Sequence, residues 1–332
     1  MAEPLVSIII VNYNGCSILE KCLESLSKIT YSNFEIILVD NNSADDSIQL
    51  VKEKFSKVII LKLDSNKGFA EPNNIGARIA KGKYLLFLNN DTVVTENFLT
   101  ELVKVIQSNE KIAICQSLLL KSDGTTDSSG DYIDELGVVY NSKTVVSELR
   151  TISSARGASM IIEKSIFDEL GGFDATFFAT FEDVDLGWRA WIKGYHVVLA
   201  PNSIVYHVGG QTTKTLSDEI AFHGFKNQIS MKITNFESSL VFLKLIKFFT
   251  FYGFRELKIW FDYKTKGTTN LTPTIYDENI AKQPSLKIIV KSLFWIISNP
   301  QYLWKKNKIV NSSRVNSTKY LEKNGILSSI KK

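Results

Sequence analysis

The sequence predicts an α/β protein with a mostly parallel central sheet flanked by helices, followed by a C-terminal helical extension. Three observations predict it. Short apolar and β-branched runs alternate with helix-periodic segments through the first hundred residues, the pattern of βαβ units wound into a parallel sheet. The run Tyr84-Leu85-Leu86-Phe87-Leu88 is apolar without a break and bounded by Lys81-Gly82-Lys83 and Asn89-Asn90, as expected of a central strand buried on both faces. Beyond residue 225 the alternation gives way to apolar stretches interrupted by lysines.

The elements follow in order. Leu5 to Val11 is nearly all apolar and breaks at Asn12-Tyr13-Asn14-Gly15, a buried first strand and its loop. Ser17 to Ser27 places Ile18, Cys22, Leu23 and Leu26 at helical spacing. Phe34 to Val39 returns as a second strand ending in Asp40-Asn41-Asn42-Ser43. A helix begins near Asp45, a third strand covers Val58 to Leu61, and the loop from Asn66 to Gly76 feeds a short helix that leads to the central strand. Residues 121–150 read as loops and an excursion off the sheet. Gly157 to Ile162 is strand-like, a helix starts near Ser165, and Gly171-Gly172-Phe173-Asp174 is a turn. From Glu182 a helix carries Val184, Trp188, Trp191 and Ile192 on its apolar stripe, with Asp185 and Arg189 spaced to pair. Ser203 to Val208 forms a last strand, ending around His207 with Gly209-Gly210 behind it.

Composition narrows the function. With 332 residues and 44% hydrophobic content, the chain can bury a large core and a second, smaller one. Cys16, Cys22 and Cys115 have no metal-like spacing, which argues against structural zinc and for a reducing compartment. The N-terminus passes straight into strand-like sequence without a basic region and cleavage site, so the catalytic part is expected to face the cytoplasm. The sequence lacks both the G-x-G-x-x-G fingerprint and the P-loop G-x-x-x-x-G-K-[ST], which disfavours a dinucleotide oxidoreductase and a P-loop enzyme.

Polar clusters end several strands, where ligands bind in open α/β sheets. Each has a plain structural reading beside the functional one. Asp91 could cap the helix near Asn97, Glu182 and Asp183 could complement the positive end of their helix, and a lone histidine at a strand end is commonly a core or surface residue. Of His196, His207 and His223, His207 is the best-placed ligand, between an acidic helix and a glycine turn.

Together the clusters are identifiable. Val6-Ser7-Ile8-Ile9-Ile10-Val11-Asn12-Tyr13-Asn14, Val39-Asp40-Asn41-Asn42-Ser43, Asn66-Lys67-Gly68-Phe69-Ala70, Leu88-Asn89-Asn90-Asp91 and Phe181-Glu182-Asp183-Val184-Asp185-Leu186, in that order, resemble the family 2 inverting glycosyltransferases with the GT-A fold, and most of all the rhamnosyltransferase-like branch that builds cell-surface glycans. The resemblance covers about residues 5 to 210. It implies a nucleotide-sugar donor, a glycan or polyprenyl-linked acceptor, and Mn²⁺ or Mg²⁺ as cofactor. Nucleotide binding falls to Tyr13, Asp40, Asn66, Lys67, Gly68, Asn89 and Asn90. Asp91 would be the surviving carboxylate of the family's D-x-D element and His207 a further metal ligand, with Asp183 the catalytic base supported by Glu182. Asn89 departs from the family pattern: it stands where many members have an acid, so it can hydrogen-bond a ribose hydroxyl but brings no charge.

The physical chemistry agrees with these roles. A departing nucleoside diphosphate needs its charge neutralised, and a hard carboxylate oxygen with an imidazole nitrogen suits Mn²⁺ or Mg²⁺. Asp40 can accept the imino N–H of uracil or thymine. Inversion needs one in-line displacement and a base on the opposite face. A helix N-terminus lowers carboxylate pKa values, so Asp183 is expected to be ionised at neutral pH. A non-catalytic nucleotide-binding scaffold, favoured only by Asn89, is the alternative, and a nucleotidyltransferase lacks the basic residues it would need near Asn12 to Gly15.

The last hundred residues read separately. Residues 1–225 hold 20 Lys+Arg against 29 Asp+Glu and residues 226–332 hold 19 against 6, a net −9 and +13. The domains are therefore placed at 1–225, catalytic, and 226–332, basic and helical. In the second, Ser239 to Phe254 and Leu286 to Ile297 are apolar but cut by lysines before reaching the ~18 residues of a spanning helix. Trp260, Tyr263, Tyr302, Trp304 and Lys305 continue a composition suited to helices lying in a membrane interface. The expected partner is an anionic membrane surface on the inner face of the cell membrane, not nucleic acid. The other reading has these helices cover the catalytic domain or a homodimer contact.

Overall fold

The structure is a computed structural model and describes residues 3–207, 217–266 and 286–328. The chain divides into two compact units, one formed by residues 1–131 with 141–209, the other by 132–140 with 210–332. The boundary expected at 225 lies inside a helix of the second unit. Val208, Gly209 and Gly210 fall outside the described residues, as do the side chains of Trp260 and Tyr263.

The first unit opens with β1 (Val6–Asn12), α1 (Cys16–Leu26), β2 (Phe34–Asp40), α2 (Ser47–Lys54), β3 (Ile59–Lys62), α3 (Ala70–Ile79) and β4 (Tyr84–Leu88). Strands β1, β2, β3 and β4 pair in parallel, in the order β4-β1-β2-β3. All five residues of β4 are buried, which explains its unbroken apolar run: a strand covered on both faces has no polar side. On α1, Leu19, Cys22, Leu23 and Leu26 are buried at i, i+3, i+4 and i+7 against this sheet.

After β4 come β5 (Thr92–Val94), α4 (Phe98–Ile106), β6 (Ile112–Leu120), β7 (Thr126–Ser128), β8 (Asp131–Ile133), β9 (Val139–Asn141), β10 (Arg150–Thr151), β11 (Ser159–Glu163), α5 (Lys164–Glu169), α6 (Glu182–Ile192) and β12 (His196–His207). The long strand β6 was not foreseen, although Ile112-Ala113-Ile114-Cys115 is as apolar as β4. Strand β11 enters between β4 and β6 antiparallel to both, so the full order β10-β12-β6-β11-β4-β1-β2-β3 is mostly parallel, with β11 reversed at its centre and β10 reversed at its edge. That reversal puts the start of β11 beside the end of β4, with Ser159 opposite Leu88.

Helix α6 carries the foreseen buried pair. Arg189 contacts Asp185 at 2.8 Å and also donates to the carbonyls of Leu170 and Gly172, tying the helix to the turn after α5. Breaking such a buried, fully bonded pair costs about 3–5 kcal/mol.

The second unit holds α7 (Ser217–Asn235), α8 (Ser238–Lys266), α9 (Leu286–Ser298), α10 (Pro300–Ser312) and α11 (Thr318–Lys323). Asn307 of α10 fastens the bend between α7 and α8, donating to the carbonyls of Ile233 and Phe236 while accepting from Ser238. Residues 132–140 join this unit through Lys232, whose buried ammonium donates to the carbonyl of Gly137 at 2.7 Å and lies over the Phe248 ring. Burial lowers that lysine to about 7, with Asp134 opposing. No helix among the described residues is long and apolar enough to cross a membrane.

Candidate active site

Parallel pairing aligns the ends of β1 and β2, so Asn12 and Asp40 sit side by side. Asn12 is the hub. Its amide nitrogen donates to Ser43 Oγ at 3.2 Å, and its oxygen accepts from Asn90 at 2.8 Å, which links the first strand's end to the turn after β4. Any side chain at Gly15 would collide with this link, since a Cβ there would lie 2.6 Å from Asn90 Nδ2 and 2.7 Å from Asn12 Oδ1. Asp40 is buried. One carboxylate oxygen accepts from the Ser43 amide and the other, Oδ1, has no hydrogen bond among the described residues. Tyr13 is half-buried in the turn after β1.

The loop after β3 is knotted to this edge. Asn41 donates to Asn66 Oδ1 and to the carbonyl of Gly68, and accepts from the Lys67 amide, each at 2.8 Å. Asn66 Oδ1 also accepts from the Gly68 amide, so that oxygen is committed to loop geometry. The Lys67 ammonium pairs with Asp64 at 3.3 Å. Gly68 has φ +79°, and a Cβ there would stand 2.0 Å from the carbonyl oxygen of Phe178, so the position admits only glycine.

The acidic pair begins α6, directly after two left-handed non-glycine residues, Thr180 (φ +69°) and Phe181 (φ +68°). Such backbone costs of order 1–3 kcal/mol per residue and concentrates at functional sites. Asp183 is aimed by two amides: Gly157 donates to Oδ2 at 2.9 Å and Val184 to Oδ1 at 2.8 Å. The Asn89 amide donates to the carbonyl of Ala158, next to Gly157, so the end of β4 and Asp183 converge on one segment. The expectation that the helix end lowers the Asp183 pKa is corrected. Burial outweighs the Gly157 hydrogen bond, the nearby Arg156 charge and the Val184 amide, and its carboxyl titrates above the usual aspartate range. Glu182 is held well above the usual glutamate range, first by burial and then by the Asp183 charge, and its Oε2 has no hydrogen bond among the described residues. The two neighbouring carboxyls give up their protons as a pair, both held above their usual ranges first by burial.

Asp91 lies in the turn between β4 and β5. It does not cap α4, whose N-cap is Asn97 with β5 intervening. Antiparallel pairing sets His207 opposite Thr92, hence beside Asp91. His207 Nε2 is 3.4 Å from Asp91 Oδ1, a charge contact longer than a well-formed hydrogen bond, and that oxygen is buried without a hydrogen-bond partner among the described residues. The other ring nitrogen, Nδ1, meets Asp127 Oδ2 at 2.9 Å. Burial opposes charge on the ring, but Asp127 and Asp91 outweigh it and raise the imidazole to about 9. Asp127 and Arg156 had no sequence signal: both stand in stretches read as loop or strand entry.

A buried, unbonded carboxylate oxygen close to an imidazole nitrogen fits a hard divalent cation whose other ligands come from a diphosphate and water. Among the described residues, no group of three or more histidine, cysteine, aspartate or glutamate side chains is arranged to hold a metal by itself. A cavity of about 760 Å³ lined by Lys21, Glu24, Lys28, Thr95, Asn97 and Asn202 contains none of the expected site residues.

The description "Glycosyl transferase family 2" matches residues 7–171. The O-antigen biosynthesis protein RfbC of Myxococcus xanthus is 31% identical over 220 residues, 61% of this chain but only 17% of that protein. An uncharacterized glycosyltransferase of Haemophilus influenzae is 27% identical over 248 residues, 72% of this chain and 76% of its own. The structure of GalNAc-T7 with UDP, GalNAc and Mn²⁺ superposes with a TM-score of 0.57 at 19% identity, covering 89% of this chain and 57% of the other, which places the fold among the GT-A glycosyltransferases. With the strand-end motifs in their expected order and this fold, residues 7–171 of the chain belong to glycosyl transferase family 2.

Proposed function

We propose that this chain is a metal-dependent inverting glycosyltransferase that moves a hexosyl or rhamnosyl group from a UDP- or dTDP-linked donor to a glycan or polyprenyl-linked acceptor during cell-surface polysaccharide synthesis. The observation that carries this reading is the paired arrangement of Asp183, aimed by two backbone amides, and Asp91 with His207. Relatives named for O-antigen and poly-β-1,6-N-acetyl-D-glucosamine synthesis support the substrate class.

The roles divide as follows. Asp40 Oδ1, buried without a hydrogen bond among the described residues, accepts the imino N–H of the pyrimidine base. Asn89 and Asn90 are neutral neighbours of the ribose and diphosphate. Asp91 and His207 hold the cation. When bound there, Mn²⁺ or Mg²⁺ supplies Lewis-acid neutralisation of the diphosphate leaving group. Asp183, ionised, accepts the acceptor hydroxyl's proton as that oxygen bonds to the anomeric carbon and the bond to the diphosphate breaks. Glu182 lies buried beside it with its carboxyl held well above the usual glutamate range by burial and the Asp183 charge, which disfavours a second negative charge in the site.

Thermal-shift measurements with UDP, dTDP, GDP and CDP, each with and without Mn²⁺, test the donor reading. UDP and dTDP should stabilise the protein in a Mn²⁺-dependent way, by about 2.7 kcal/mol at a hundred times Kd. A shift with GDP or CDP alone would contradict the role given to Asp40.

The second unit suits a peripheral position on the anionic inner face of the membrane. Val290, Phe294 and Ile297 of α9 lie at i, i+4 and i+7 and are 57–75% exposed, with Lys287 and Lys291 exposed beside them. Phe242 of α8 and Trp304 of α10 are likewise exposed, and Lys308 lies over the Trp304 ring. Apolar stripes edged with lysine are what an interfacial helix presents to anionic lipid, each cation adding about 1 kcal/mol near the surface. Co-sedimentation of the full chain with neutral and anionic vesicles tests this. Binding that ignores lipid charge and salt would remove the lysines from the role, and dimerisation in place of vesicle binding would assign the exposed face to a copy of the chain.

A further inference from the structure

We propose that Asp127 is a positioning residue for His207: by accepting a hydrogen bond from Nδ1–H it fixes the tautomer whose Nε2 lone pair faces Asp91, and so completes the cation site. The proposal rests on the reading that Asp91 and His207 hold the divalent cation.

Three observations converge on it. The imidazole lies between two carboxylates, with Nδ1 2.9 Å from Asp127 Oδ2 and Nε2 3.4 Å from Asp91 Oδ1. Both Asp127 and its neighbour Ser128 are buried, and the carbonyl of Asp127 accepts from Asn141 Nδ2 at 2.8 Å, so the carboxylate stands on a fastened backbone. Finally, Asp127 is the extra residue of a β-bulge. Leu119 pairs with Ser128 and the adjacent Leu120 with Thr126, which leaves Asp127 unpaired between them. Bulges re-aim a side chain and recur next to active sites, and this one lies beside Leu120, the same residue that pairs with Tyr206 on the other strand.

The chemical need is specific. A ligating imidazole must present a bare nitrogen, and neutral imidazole can carry its proton on either side. With Nδ1–H donated to Asp127, Nε2 is the bare one and the ring cannot rotate away. A carboxylate on the far nitrogen also makes the ligand more basic, and losing such a partner typically weakens metal affinity about 10–100-fold. Asp127→Asn separates the two contributions, because an amide oxygen can still accept from Nδ1–H but carries no charge.

The test uses the full chain with UDP and Mn²⁺, reading free Mn²⁺ by electron paramagnetic resonance, in wild type, Asp127→Ala, Asp127→Asn and His207→Ala. Long-range ¹H–¹⁵N correlation of the three histidines, in the absence of metal and at a pH above about 9 where the His207 ring is neutral, reads its tautomer directly. Asp127→Ala should bind Mn²⁺ about 10–100-fold more weakly and lose the preference for Nδ1–H, while Asp127→Asn should keep that tautomer with a smaller loss of affinity. Melting curves check that each variant is folded, and the isosteric Asn variant covers a destabilised Ala. Unchanged Mn²⁺ affinity and tautomer in Asp127→Ala overturn the proposal alone. If His207→Ala also binds Mn²⁺ normally, the cation reading falls with it.

Discussion

The Gly157 amide donates to Asp183 Oδ2 at 2.9 Å. The carboxylate assigned as the base is thereby aimed by the segment entering the reversed strand β11, and not by its own helix alone. Because β11 runs antiparallel to β4, this segment lies beside the end of β4 at Leu88, three residues before Asp91, with Asn89 and Asn90 between. A Cβ at Gly157 would lie 2.8 Å from the Phe69 ring, so the amide reaches Asp183 where a side chain would not fit.

The rate should depend on pH through Asp183. Its carboxyl titrates above the usual aspartate range because burial outweighs the amides and Arg156, and the base works only when ionised. The profile of kcat/KM should therefore rise on the alkaline side of an ordinary aspartate, with activity lost as pH falls through the raised value. A flat profile down to pH of about 4 would remove Asp183 from the role.

Glu182→Gln should change stability with a definite sign. The folded-state pKa of Glu182 is raised well above its ordinary value by burial and the Asp183 charge. Its favourable contribution is complete below the unfolded value and is lost as pH rises through the folded one. The melting temperature of the Gln variant relative to wild type should thus climb as pH increases above about 4.5 and then level off. A difference that is constant, or that favours wild type increasingly at high pH, contradicts the buried, proton-holding Glu182.

Gly68→Ala should destabilise the protein by at least about 1–2 kcal/mol and weaken nucleotide binding, since φ +79° and the carbonyl of Phe178 both reject a side chain. Denaturant unfolding reads the first and UDP titration the second. An unchanged midpoint would show that the loop from Asn66 to Gly68 moves freely.

Much of the catalytic unit was legible because its signals are local. The unbroken run of β4, the strand ends at Asn12 and Asp40, and the i, i+4 pair Asp185–Arg189 each follow from a few neighbouring residues. What escaped depends on long-range pairing. Strand direction is not written in composition, so nothing in Ser159–Glu163 announces that it runs opposite to its neighbours. Asp127 looks like any loop aspartate until the register slip on β6 turns it toward His207. The Asp183 pKa was misjudged for a related reason: the helix end is visible in sequence, but the burial that outweighs it is a property of the assembled fold.

The central claim is that Asp183 is the base of a glycosyl transfer and is not needed to hold the donor. It is tested most directly by comparing wild type with Asp183→Asn for two quantities, UDP or dTDP binding with Mn²⁺ and nucleoside-diphosphate release from a panel of UDP- and dTDP-sugars. Binding should be retained within a few-fold while turnover falls by at least about 10²-fold. Equal turnover in the two proteins, or a Glu182→Gln variant that is inactive while Asp183→Asn is not, would contradict the account.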